Sequence, residues 1–300
     1  MQPYRYMKKY YLLILISALL NLQAHAQARK VNKRNPTGTA AAKKSNPFLQ
    51  KQFWLGFKAG TNLTQAKVQE SYSIIVPPPD AIVDDKAYKN FNLTGSQVAL
   101  EVTFYTKGFS ISVQPTYFHS RFEYANRYEW MDANNPTNLL TLNYQQEQQT
   151  DYAELPLLVK YDVAGSVLRP FVQAGVYYAM LVNANKAVTV NGVDYASGGL
   201  NEFENEPILV GAEDLFAKNY WGISAGAGIN YNLGNVRLTL EGNYRIGMSL
   251  ANSTENRYKN DRLAGVGDAL DDIKLNNIVF SFGCLFPMRY LASGFKTLDR

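Results

Sequence analysis

The sequence predicts an all-β fold, specifically an eight-stranded antiparallel up-and-down transmembrane β-barrel, and three observations predict it. Stretches with an apolar residue at every second position recur eight times between residues 52 and 290. The connections between these stretches alternate strictly between short and long. Beyond the N-terminal 26 residues, no stretch is long and apolar enough to span a bilayer as a helix, which takes about 20 residues.

The alternation is clearest in residues 235–250, NVRLTLEGNYRIGMSL. Successive strand side chains point to opposite faces. One wall therefore carries Val236, Leu238, Leu240, Tyr244, Ile246 and Met248, and the other Arg237, Thr239, Glu241, Asn243 and Arg245. The remaining strands read in order as follows. The first, 53–63, sets Phe53, Leu55, Phe57 and Ala59 against Trp54, Gly56, Lys58 and Gly60. The second, 97–105, sets Val98, Leu100, Val102 and Phe104 against Gln97, Glu101 and Thr103. The third, 109–118, sets Phe109, Ile111, Val113 and Tyr117 against Ser110, Ser112, Gln114 and Thr116. In the fourth, 152–161, Leu155, Leu157, Val159 and Tyr161 oppose Glu154 and Lys160. The fifth, 169–182, is aromatic and of weaker contrast. The sixth, 220–231, alternates Trp221, Ile223, Ala225, Ala227, Ile229 and Tyr231 with Gly222, Ser224, Gly226, Gly228 and Asn230. The opening segment is the seventh, and the eighth, 277–286, carries Ile278, Phe280, Phe282, Cys284 and Phe286 on its apolar side.

Short connections fall at 106–108, 163–166 and 233–235, and long polar ones at 64–91, 122–150, 183–219 and 251–275. A meander with short turns at one end and long loops at the other is the pattern of an outer-membrane barrel, with its turns in the periplasm and its loops outside. The apolar walls then face lipid and the charged walls face inward. A soluble lipocalin-like barrel has the same period with the orientation reversed, oil inside, so the placement of Leu238, Leu240 and Ile246 against Arg237, Glu241 and Arg245 decides between them.

An eight-stranded barrel is only wide enough for side chains to fill it, and isolated buried charges cost several kcal/mol each. The inward charges are Lys58, Glu101, Glu154, Lys160, Arg237, Glu241 and Arg245, four cations against three anions. Near balance predicts a lumen plugged by an ion-pair network, with the glycines of the sixth strand leaving room for arginine and tyrosine side chains opposite. No catalytic, cofactor or metal role is expected of these seven.

Lys8 and Lys9, the apolar run from Tyr10 to Leu20 and Ala24-His25-Ala26 form a basic, apolar and small-residue series, the pattern of a secretory signal peptide. It is expected over 1–26, with the mature chain starting at Gln27 and the first residue either Met1 or Met7. Residues 27–51 hold seven basic residues and no acid, with two prolines and few large apolar side chains. That composition cannot bury enough surface to fold, so a basic flexible linker is expected there. These two segments carry ten of the 30 Lys and Arg, which leaves 20 against 25 Asp and Glu in the rest. The net charge of +5 is therefore not a nucleic-acid-binding face. The single cysteine, Cys284, excludes an internal disulfide. The 21 tyrosines and 15 phenylalanines suit a barrel with aromatic side chains at the lipid interfaces.

Three stretches resemble a known family: Gly56-Phe57-Lys58-Ala59-Gly60-Thr61-Asn62-Leu63, Tyr152-Ala153-Glu154-Leu155-Pro156-Leu157-Leu158-Val159-Lys160-Tyr161, and Arg169-Pro170-Phe171-Val172-Gln173-Ala174-Gly175. They are similar to the PorT-type outer-membrane β-barrel proteins of the Bacteroidetes. The resemblance covers 52–290 and implies an eight-stranded barrel, with no activity assigned to most members and a protein-secretion apparatus for the name-giving one. The chain departs from the family in its long loops and in a tail beyond Phe286; the tail proper is placed at 291–300.

His119 lies in Phe118-His119-Ser120-Arg121-Phe122-Glu123, where a Ser nucleophile and a His base would suit a lipid A deacylase. The spacing is not discriminating, and a polar strand-end residue is the simpler reading. Asp84, Asp85, Asp268, Asp271 and Asp272 gather acids in the first and fourth long loops. Calcium takes carboxylate oxygens, but solvated loop charge is the simpler reading here too. Val76-Pro77-Pro78-Pro79 stiffens the first loop in an extended form. The expectation is thus a non-enzymatic integral protein of the outer membrane, structural or binding through its outer loops. Its partners would be membrane lipid and envelope proteins met by the loops or the basic arm. The alternatives are a component of a secretion complex and a membrane hydrolase.

Overall fold

The computed structural model describes residues 51–73, 81–83, 86–132, 134–163, 167–197, 199–233, 236–258 and 269–288. The signal-peptide and linker expectations, the tail 291–300, the proline run, Asp84, Asp85 and Asp268 lie outside the described residues. The described part holds thirteen strands: β1 (Lys51–Glu70), β2 (Ala81–Val83), β3 (Ala87–Tyr88), β4 (Thr94–Thr106), β5 (Phe109–Val113), β6 (Thr116–Met131), β7 (Leu139–Asp162), β8 (Leu168–Asp194), β9 (Asn201–Glu204), β10 (Ile208–Gly211), β11 (Asn219–Leu233), β12 (Val236–Gly247) and β13 (Asp272–Pro287). One 3-10 turn, Glu213–Leu215, is the only helical element among them.

Every strand pairing among the described residues is antiparallel, and the pairing closes on itself. β1 pairs β4, β4 pairs β5 and β6, both of these pair β7, and the path continues through β8, β11, β12 and β13 back to β1. β5 and β6 are one strand interrupted at Gln114 and Pro115. Pro115 has no N–H to offer the ladder, and its carbonyl accepts from Leu100 N at 2.9 Å while Gln114 N donates to the Pro156 carbonyl at 3.0 Å. Counted so, eight strands complete the ring. The turn between β4 and β5 is two residues, Lys107 and Gly108, both at positive φ (47° and 92°), as tight hairpins require.

The orientation is oil outside. On β12, Leu240 is 58% exposed and Ile246 37%, whereas Arg237, Glu241 and Arg245 are 5%, 3% and 5% exposed. A soluble barrel with an apolar interior is excluded by this reversal. Phe57, Leu100, Ile111, Leu157, Val176, Ile223 and Phe282 continue the exposed band round the ring. Aromatic pairs edge it at the turn side, Phe53 on Phe104 and Phe109 on Tyr161, each with ring centroids 4.8 Å apart. Trp221 and Tyr178 face each other across β11 and β8 at the loop side. From Trp221 to Tyr231 is ten residues, about 33 Å of strand, or about 25 Å along the axis at the usual tilt, which matches the apolar band of such barrels.

Two of the expected loops differ from the reading above. β7 has 24 residues and β8 27, against about 9–11 for a membrane crossing. Most of 122–150 and 183–194 is strand, paired from Met131↔Leu139 downward and across to Asp194. Beyond the lipid the outer face of a strand meets water, and the inner face here buries amides, Gln146 and Gln148 being fully buried, so a strand through Gln145, Gln146, Gln148 and Gln149 has no apolar–polar contrast and leaves no period-two mark. The register of β7 and β8 shifts between Asp151 and Tyr152, with Val182 as the extra residue. The bulge exchanges the faces of β8: Tyr177 and Ala179 point inward below it, and Ala184, Lys186 and Val188 are buried above it.

Candidate functional site: the closed lumen and its outer rim

The interior is built in layers from alternate residues of the ring. At its centre Lys58 Nζ donates to Glu241 Oε1 at 2.7 Å and lies 2.7 Å from Glu101 Oε2. Lys160 Nζ donates to Glu101 Oε1 at 2.7 Å and lies 3.5 Å from Glu241 Oε2. Two lysines and two glutamates thus form a square with all four members buried. The hydroxyls of Thr103 and Ser112 also donate to Glu101, at 2.6 and 3.0 Å. Gly283 stands opposite Lys58 on β13, where an added Cβ would lie 2.2 Å from the lysine Cγ. The lysine stem crosses the barrel wall over that glycine.

Toward the outer end, Arg245 Nη2 donates to Glu154 Oε2 at 2.6 Å, with its guanidinium 3.9 Å from the Tyr177 ring and 4.7 Å from Phe118. Toward the turns, Arg237 is held differently. Its guanidinium lies 4.1 Å from the Trp54 ring, and its Nε donates to Asn232 Oδ1 at 2.9 Å. A ring face attracts a desolvated cation, so the seventh charge is accommodated by an aromatic and an amide. The β11 glycines make room for Tyr177, Asn243 and Phe171: added Cβ atoms at 222, 226 and 228 would come within 2.4, 2.2 and 2.5 Å of them. The expectation of arginine there is corrected to asparagine and phenylalanine.

Above the charges lies an apolar layer that the strand pattern does not announce. Val210, Ala212, Leu215 and Phe216 turn into the mouth with Ala251, Leu270 and Ile273, and pack on Phe118, Phe122, Tyr152, Tyr177 and Tyr220. Their sequence signal is weak, because a few apolar residues in a long polar connection read as ordinary loop. Asp271, wholly buried rather than solvated, locks the first loop onto this cap. It accepts from Tyr72 N at 2.8 Å, Lys86 Nζ at 3.0 Å and the Tyr88 hydroxyl at 2.9 Å. Asp272 accepts from Asn252 Nδ2 at 2.7 Å and from Arg257. Protein donors occupy both carboxylates, and among the described residues no group of three potential ligands forms a metal site.

A void of about 30 Å3 lies between Lys58, Gln114, Glu241, Asn243 and Arg245, room for about one or two waters. On the outer surface a cleft of about 350 Å3 is lined by Lys89, Arg127, Asn143, Gln145 and Asn191 among others. His119 faces outward at the loop side, its Nδ1 2.7 Å from Asp151 Oδ1. Ser120 points the other way and shares a hydrogen bond with Thr150 Oγ1 at 2.7 Å inside.

A closed antiparallel ring with an apolar exterior and a charged interior defines an integral membrane β-barrel. The sequence profile of the family described as "Outer membrane protein beta-barrel domain" matches residues 26–254, and the chain belongs to that family. Among solved structures it is similar to Neisserial surface protein A (12% identity, 78% of this chain and 96% of that one, TM-score 0.30). It is also similar to outer membrane protein W of E. coli (14%, 77% and 97%, TM-score 0.31) and to Ail, the attachment invasion locus protein of Yersinia pestis (8%, 78% and 99%, TM-score 0.27). No curated protein matches the sequence significantly.

Proposed function

We propose that this outer-membrane protein is a non-conducting, non-catalytic barrel that serves as a rigid mount for its outer sheet, where envelope or external partners bind. The observation that carries the reading is the filled lumen: a buried Lys–Glu square, an Arg–Glu pair and an apolar cap occupy it, and the void among the charges measures about 30 Å3. A hydrated ion needs a continuous path, and a void for about one or two waters is not one. The outer extension of β6, β7 and β8 and its cleft supply the exposed surface. Against hydrolysis stands the strand geometry, since adjacent residues occupy opposite faces. His119 and Ser120 are therefore on different sides of the wall and form no nucleophile–base pair.

The test is conductance in a planar bilayer. Purified, heat-modifiable protein is expected to give no discrete current steps, and reproducible unitary openings in the intact chain would sink the proposal. A His119→Ala strain with unaltered lipid A is expected as well. A changed acylation pattern would revive the hydrolase. Membership of a PorT-like secretion complex predicts that deletion of 27–50 and 291–300 impairs secretion, and the mount reading predicts that it does not.

A further inference from the structure

We propose that Lys67 and Lys274 form a phosphate clamp on the outer wall that binds the headgroup of a phosphorylated glycolipid in the outer leaflet. The two lysines are directly opposite each other on β1 and β13. By the alternation that exposes Phe57 on β1 and Phe280 and Phe282 on β13, both point outward. Like charges facing each other across a ladder destabilise it, yet no ion pair to either lysine falls among the described residues, although Lys58, Lys160 and Arg245 in the lumen all pair with glutamates.

The neighbourhood makes the pair more conspicuous. The flanking segments reach β1 and β13 through Phe91 N to the Thr64 carbonyl (3.2 Å) and Ala251 N to the Ile273 carbonyl (2.9 Å). Residues 90–93 and 248–253 of those segments contain no Asp or Glu. Lys89, just beyond, is already paired with Glu123 at 2.6 Å. Arg121, on the next wall, is paired with Glu147 at 2.7 Å. Glu70 is the one acid within three residues of Lys67 on β1, and Asp272, two residues from Lys274, is taken by Asn252 and Arg257. Gln65 and Asn276, two residues below the lysines on the same face, are joined at 3.2 Å, so polar amides separate the clamp from lipid tails.

The height fits a headgroup. The last apolar pair of this wall is Leu63↔Ile278, and Lys67↔Lys274 lies four residues above it. At about 3.3 Å per residue and the usual tilt, that is roughly 10 Å beyond the acyl boundary, within reach of flexible lysine stems. A lysine binds phosphate as a point charge, and two facing lysines share one dianion at the spot where their own repulsion is relieved.

The test uses the folded full-length protein in micelles and titrates lipid A with its phosphates intact and the same lipid after dephosphorylation. The phosphorylated form is expected to bind about tenfold more tightly, the scale set by juxtamembrane lysines acting on anionic headgroups. Lys67→Gln/Lys274→Gln should erase that difference, while Lys67→Arg/Lys274→Arg and Lys107→Gln, in a turn at the other end, should keep it. In lipid-free micelles the double Gln variant should unfold no more readily than wild type, because repulsion has been removed. Equal binding of both lipids, a difference that survives the double Gln variant, or displacement of lipid by inorganic phosphate at matched concentration would overturn the assignment.

Discussion

Lys58 lies between two buried carboxylates, Glu101 and Glu241, so its loss is expected to cost more than the loss of a surface charge. Lys58→Met would leave two buried glutamates, Glu101 and Glu241, sharing Lys160 alone, and breaking a buried pair from one side costs about 3–5 kcal/mol. The same holds for Arg245→Met, which strands Glu154. By contrast, Glu154→Leu/Arg245→Met removes the pair whole and should recover most of that loss. Urea midpoints of heat-modifiability in micelles would measure all three, and equal losses in the single and double variants would count against a coupled pair. Alternation placed these charges on the inner wall from sequence alone. It did not show that Arg237 settles on Trp54, because the packing of strand on strand across the lumen sets which ring meets which cation.

At the scale of elements, the Lys107–Gly108 turn holds two consecutive residues at positive φ. Gly108→Val would force a branched residue into that region, costing about 1–2 kcal/mol and lowering the unfolding midpoint, whereas Gly108→Asn should be nearly neutral. The hairpin of β6 and β7 continues far above the lipid band. Excising 127–143 and rejoining the strands with a two-residue turn should therefore leave heat-modifiability intact, since the apolar cap packs on Phe118, Phe122 and Tyr124 below the cut. Loss of the folded band on a gel would show that the extension stabilises the barrel. The tip closes on its own hydrogen bonds. The Asp132 carboxyl is held below its usual range by the backbone N–H of Asn134, then by the Asn138 side chain. The strands that cross lipid were legible because one face must be oily. Their outer halves were not, because the outer face there meets water while the inner face buries amides such as Gln146 and Gln148, which leaves no continuous oily face to read.

For the whole molecule, the lumen is sealed twice, by charge at mid-depth and by oil at the mouth. Opening one seal should not open the barrel. Leu215→Asp/Phe216→Asp is expected to loosen the cap without giving conductance. A variant that also truncates Lys58, Glu101, Lys160 and Glu241 to glycine should leak in a liposome-swelling assay, provided that it still assembles. Leakage from the cap variant alone would mean that the ionic square is permeable.

The sequence by itself determined the number of crossings, the direction of each wall and the inward face of the charges within the lipid-crossing stretches, because lipid imposes a period of two that no tertiary contact can hide. Only the tertiary structure decided how those charges are shared, which loop residues fold back as the cap, and that Lys67 meets Lys274. Each of these depends on residues distant along the chain coming to the same height, and height is set by register and bulges. A single-chain pattern carries no record of either.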